Sequence, residues 1–138
     1  MSIPFTGGCM CGAVRYECAT EPLMAANCHC LDCQRATGSA YASVFFVPKS
    51  AVKITGEVKY YESKGDSGSS IRRGFCPTCG SRLFGLPAVM SENMGIMAGS
   101  LDDSSSHKPA IDIYTSSAQP WDYMNPEVAK FPKGPPMG

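Results

Sequence analysis

Short stretches of alternating hydrophobic and polar residues recur along the chain, while long stretches with a 3.6-residue period are missing. In AVRYECA (13–19), Val14, Tyr16 and Cys18 share one parity and Arg15 and Glu17 the other. That is the pattern of a strand with one face against a core. Similar β-like runs follow at SAYASVFFV (39–47), EVKYYES (57–63), SRLFGL (81–86), MGIMAGS (94–100) and AIDIYT (110–115). Turn-rich segments such as SKGDSGSS (63–70) and GSLDDSSSHKP (99–109) separate them. Helix is expected only briefly, around LDCQRAT and PKSAVKI. The pattern predicts a mainly β fold with short helical turns, a single domain over residues 1–129 and a Pro/Gly-rich, poorly ordered tail over 130–138.

Composition narrows the partners. With 138 residues the chain can bury one real core. Twelve basic side chains balance twelve acidic ones and no Lys/Arg cluster stands out, so nucleic acid is not an expected partner. The first residues, MSIPFTGGCMCG, lack the basic and apolar regions of a signal peptide, and no apolar run is long enough for a membrane span. A cytoplasmic, reducing location is therefore expected, with no membrane partner. In such a compartment eight cysteines read as metal ligands more readily than as disulfides.

The cysteines fall into three clusters, with Cys18 left over. C-P-x-C-G at Cys76 and Cys79 shapes a tight knuckle that turns two thiolates toward one ion, as in half of a zinc ribbon. The C-x-C of Cys9 and Cys11, flanked by glycines, can supply the other two ligands, because residues i and i+2 of an extended segment point the same way. Four thiolates make a closed structural zinc site that also ties residue 9 to residue 79. The third cluster, Cys28, Cys30 and Cys33, provides three thiolates and a vacant corner. The alternation that aligns Cys28 with Cys30 sends His29 to the opposite side, and Cys18 lies on the apolar face of its strand as a small buried hydrophobe. Structural zinc sites are closed and catalytic ones keep an open position, so the third cluster reads as a working zinc site. The competing reading is a second structural zinc closed by Cys18, His29 or Asp32. Two Zn²⁺ per chain are expected either way.

Three thiolates donate strongly, so zinc held by them is a poorer Lewis acid than zinc held by three imidazoles. Such an ion is suited to holding a fourth thiolate and presenting it to a carbon electrophile. Thiol addition to, or elimination from, a small carbonyl compound is the favoured chemistry. Tyr16, Tyr41, Asp32 and His29 are unranked candidates for moving the proton.

GGCMCGAVRY, CHCLDCQRATGSAY, FCPTCGSRLF and SSAQPWDYM resemble, in order, the successive motifs of the glutathione-dependent formaldehyde-activating (GFA) family, which includes the centromere protein V-like proteins. The resemblance spans roughly residues 7 to 124. It implies an Mss4-like β fold with two zincs, Cys9, Cys11, Cys76 and Cys79 holding the structural ion and Cys28, Cys30 and Cys33 the catalytic one. It also implies a carbon–sulfur lyase that reversibly forms S-hydroxymethylglutathione from formaldehyde and glutathione. An anionic thiol of that kind calls for cations: Arg35 in the matched CQRATG is the nearest candidate, with Arg72 and Arg73 next. Trp121 either lines the pocket or anchors the C-terminal segment. Asp112 stands where the family often has a histidine, which disfavours an anionic peptide there. Two other function classes compete with the enzyme: a non-catalytic zinc module that binds a protein partner, and a thiol or zinc sensor.

Overall fold

The computed structural model describes residues 1–65 and 67–135. Its strands form two sheets. The smaller has the order β1-β2-β5, with β1 (Phe5–Gly8), β2 (Arg15–Cys18) and β5 (Val52–Thr55). The larger contains β3 (Met24–Cys28), β4 (Ala42–Pro48), β6 (Lys59–Lys64), β7 (Ser70–Phe75), β8 (Arg82–Pro87), β9 (Asn93–Met97), β10 (Ile111–Ile113) and β11 (Ala129–Lys130). Its order is β11-β10-β3-β4-β9-β8-β7-β6, with β10 parallel to both β3 and β11 and the other pairs antiparallel. One α-helix, α1 (Leu31–Thr37), follows β3. The fold is mainly β and compatible with the Mss4-like class.

The core joins the two sheets. Val14 just before β2, Tyr16 and Cys18 within it, and Phe45, Val47 and Phe84 from the larger sheet are nearly or fully buried in one cluster. Phe5 meets Phe45, and Tyr16 meets Phe84, edge to face at 5.6 Å between centroids. Each such side chain contributes about 1.5–3 kcal/mol by leaving water. Gly7 lies opposite Tyr16 in the β1–β2 ladder, and a Cβ there would collide with the Tyr16 hydroxyl and the Ser100 carbonyl. Cys18 is fully buried in this core and belongs to neither cysteine group that could hold an ion.

All six expected runs contain strands, and LDCQRAT forms α1. The differences have local causes. FTGG, MAANC and SIRRGF form β1, β3 and β7 although they lack large alternating apolar residues. Small side chains suit β3, which is paired on both edges, by β10 and β4. PKSAVKI makes only a 3-10 turn at Lys49–Ala51, because Val52 and Ile54 continue as β5 opposite Cys18 and Tyr16. The segment expected to be a loose tail from residue 130 instead runs beside β10. There Phe131 N–H donates to the Asp112 carbonyl at 2.9 Å, and Tyr114 N–H donates to the Lys133 carbonyl at 2.8 Å. Residues 136–138 of that segment lie outside the described residues. Among the described residues no helix is long and apolar enough to cross a membrane.

Candidate metal centres and an arginine-lined cavity

The knuckle Cys76–Gly80 closes as its sequence requires: Gly80 takes a positive φ of 78° and returns its N–H to the Cys76 carbonyl at 2.8 Å. On the other side, Gly12 bends the chain after Cys11, with its own φ at 81°. These turns bring the sulfurs of Cys9, Cys11, Cys76 and Cys79 within 4.8 Å of one another. Cys9–Cys11 and Cys11–Cys76 are 3.7 and 3.8 Å apart. Zinc–sulfur bonds of about 2.3 Å in a tetrahedron give an edge of about 3.8 Å, so these residues fit a zinc ion. Val14 N–H donates to the Cys9 sulfur at 3.2 Å and Cys79 N–H to Cys76 at 3.5 Å. Ser81 accepts from Met10 N–H at 3.0 Å while its hydroxyl lies 3.2 Å from the Cys79 sulfur, which ties the two knuckles together. Hydrogen bonds from the Ser81 hydroxyl and backbone hold the Cys79 thiol down at about 5. A thiolate is thereby favoured before any ion arrives.

The second cluster grows from β3 into α1. Cys28 ends the strand, Cys30 caps the helix by accepting from Cys33 N–H at 3.3 Å, and Cys33 sits in the first turn. Their three sulfurs also lie within 4.8 Å of one another, and among the described residues no fourth His, Cys, Asp or Glu joins them. Contacts from the Cys28 and Cys33 thiols hold Cys30 well below the usual thiol range, with Arg73 adding to the effect. The same contact with Cys30 pushes Cys28 upward.

His29 does point away from the sulfurs. Its Nε2 lies 2.9 Å from Asp112 Oδ1 and its Nδ1 2.8 Å from Asp122 Oδ2, with all three side chains no more than 2% exposed. The second approach is close but outside hydrogen-bond alignment. Lys130 Nζ reaches Asp112 Oδ2 at 3.1 Å. Asp112 is thus partnered on one oxygen by His29 and on the other by Lys130. Gln34 in α1 completes this side by donating to the carbonyls of His29 and Ser117 at 2.8 and 3.0 Å.

The three cysteines open onto a cavity of about 220 Å³ whose lining also includes Asp32, Arg73, Arg82 and the apolar Met24, Phe46 and Ile71. Arg73 is 8% exposed. Its Nη1 donates to Ser63 at 2.9 Å, but its Nε has no partner. Arg82 leaves Nε and Nη1 buried without partners. Burial lowers Arg82 to about 10, repulsion from Arg73 adds to this, and Cys33 opposes it. Among the described residues no carboxylate pairs with either guanidinium.

Neither expected substrate contact lines this cavity. Arg35 is exposed on α1, and Trp121 is 68% exposed. Arg72 is also exposed and stacks on Tyr60, 4.5 Å from the ring centroid. Tyr16 lies in the core, bonded to Ser100 at 2.8 Å, and Tyr41 packs against His29 at 5.3 Å. Arg73 and Asp32, both considered from sequence, do reach the cavity. Arg82, Ser81 and Asp122 were not foreseen. The available signal was symmetry, since Arg73 and Arg82 stand three residues before Cys76 and three after Cys79. The β7–β8 hairpin brings the two together.

A family model for the glutathione-dependent formaldehyde-activating enzymes matches residues 4–117. A protein of Penicillium rubens, described as a "putative glutathione-dependent formaldehyde-activating enzyme", is 35% identical over 86 residues, covering 59% of this chain and 44% of that protein. The alignment thus spans less than half the length of that relative. In fold, the chain is similar to a Rhodobacter sphaeroides protein of known crystal structure, with a TM-score of 0.58 at 20% identity, covering 91% of this chain and 98% of that one. With the family match extending over most of its length, the chain belongs to the glutathione-dependent formaldehyde-activating family.

Proposed function

We propose that this protein is a zinc-dependent carbon–sulfur lyase that adds a glutathione-like thiol to a small aldehyde such as formaldehyde, and reverses that addition. Cys9, Cys11, Cys76 and Cys79 would hold a structural zinc, and Cys28, Cys30 and Cys33 a catalytic one. The carrying observation is the second cluster: three mutually close sulfurs, with no fourth donor among the described residues, opening onto a cavity. Bound there, zinc would supply a position at which a substrate thiol ionises near neutral pH. The residues behind the cluster hold the ligand loop rigid, because His29 is clamped between β10 and the C-terminal segment. Arg73 and Arg82 oppose the negative charge that several thiolates accumulate.

In the forward direction the sulfur–carbon bond forms as the carbonyl π bond opens, and the proton lost by the thiol ends on the carbonyl oxygen. Elimination breaks the same bond and returns that proton. No outside oxidant or reductant is needed. The family match and the name of the Penicillium relative favour this reading over a binding module or a sensor. The test is adduct formation from formaldehyde with glutathione and, in parallel, with 3-mercaptopropionate. Zinc-loaded protein should accelerate at least one of these reactions, and Cys30→Ser neither. Absence of acceleration with both thiols would overturn the proposal.

A further inference from the structure

The cavity carries more information than its cysteines. Arg73 and Arg82 project from neighbouring strands, each with a buried nitrogen that has no acceptor, and among the described residues neither has a carboxylate partner. The thiolates across the cavity offset part of their charge, but donor nitrogens buried without an acceptor remain costly until a hydrogen-bonding anion reaches them. Their planar forks suit a carboxylate. The remaining wall is largely apolar, with Met24, Val44, Phe46, Ile71, Pro87 and Met97 contributing. Other polar lining comes from Asp32 and Tyr114, from Ser67 and Ser69 between β6 and β7, and from Ser70 at the start of β7. At about 220 Å³ the space falls below the roughly 300–1,000 Å³ typical of sites for drug-sized ligands.

We propose that Arg73 and Arg82 form a carboxylate-binding subsite, and that the preferred substrate is a small monocarboxylate with an apolar body rather than a tripeptide. This rests on the lyase reading for the adjacent cysteines and specifies what that site accepts. Glutathione would set an ammonium, two amides and a second carboxylate against a wall built mostly of methyl, thioether and aromatic groups. A compact molecule with one carboxylate leaves no such groups unpaired.

The probe is 3-phenylpropanoate, titrated calorimetrically into the zinc-loaded full chain beside its neutral analogue 3-phenylpropanamide, acetate and glutathione. The acid should bind roughly 10- to 100-fold more tightly than the amide, the range expected for charge-assisted hydrogen bonds. It should also bind more tightly than acetate and glutathione. Arg82→Gln and Arg73→Lys should each weaken the acid by at least about tenfold and leave the amide unchanged. Equal binding of acid and amide would overturn the subsite, as would unchanged affinity in both folded variants. Tighter binding of glutathione would overturn the size and polarity assignment. The wild-type series decides the matter even if a variant fails to fold. Because the probe contains no thiol, its binding is read separately from lyase activity.

Discussion

At the level of single residues, the cysteines show how far local chemistry can be read from spacing. Alternation in an extended segment was enough to align Cys28 with Cys30 and to turn His29 away, and to place Cys18 in the core. Ser81 was not legible, because its role depends on two turns meeting across the molecule. Ser81→Ala should cost about 1 kcal/mol in denaturant unfolding. In metal-free protein it should also move the alkylation profile of Cys79 upward from about 5, since the hydroxyl is a main cause of that low value. Tyr16 makes a second residue-level prediction. Burial raises its phenol from 10.0 to about 12. Its contribution to stability is therefore fully present below about 10 and is lost as pH rises toward about 12. Burial also raises the Tyr60 phenol, so the assignment rests on the variant: phenolate absorbance should include a late-titrating tyrosine whose appearance coincides with alkaline loss of stability, and Tyr16→Phe should remove that coupling.

Among the elements, β2, β4 and β10 were readable because each presents an apolar face, whereas β1, β3 and β7 were obscured by glycine, alanine and arginine. Those same departures from pattern serve the architecture. Gly7 lets β1 pass under Tyr16, so Gly7→Ala should destabilise the fold by about 1–3 kcal/mol, the usual range for overpacking, in thermal or urea unfolding. The arginines of β7 and β8 are hidden from sequence for a related reason: a charged residue within a short run looks like solvent-facing decoration until the hairpin shows where it points. Behind the second cluster, His29 joins β10 to the segment around Asp122, and Asp112 joins Lys130. His29→Ala would remove the buried contact of both Asp112 and Asp122, leaving Asp112 with Lys130 and Asp122 without its neighbour. The expected loss is about 3–5 kcal/mol, together with faster proteolysis in the C-terminal segment.

For the whole molecule, the two cysteine clusters share a scaffold. The first joins residues near the start of the chain to the turn between β7 and β8, and that hairpin carries Arg73 and Arg82 to the second cluster. Loss of the first ion should therefore impair ligand binding at the second, through the hairpin that both depend on. The central claim is that the Cys28, Cys30 and Cys33 site keeps one metal position for a substrate thiol. X-ray absorption at the zinc edge, recorded on two-zinc protein with and without 3-mercaptopropionate, addresses it most directly. The account predicts a mixed shell of sulfur and light atoms that becomes all sulfur when the thiol is added. An all-sulfur shell before addition, or a light-atom contribution that the thiol leaves unchanged, would contradict it.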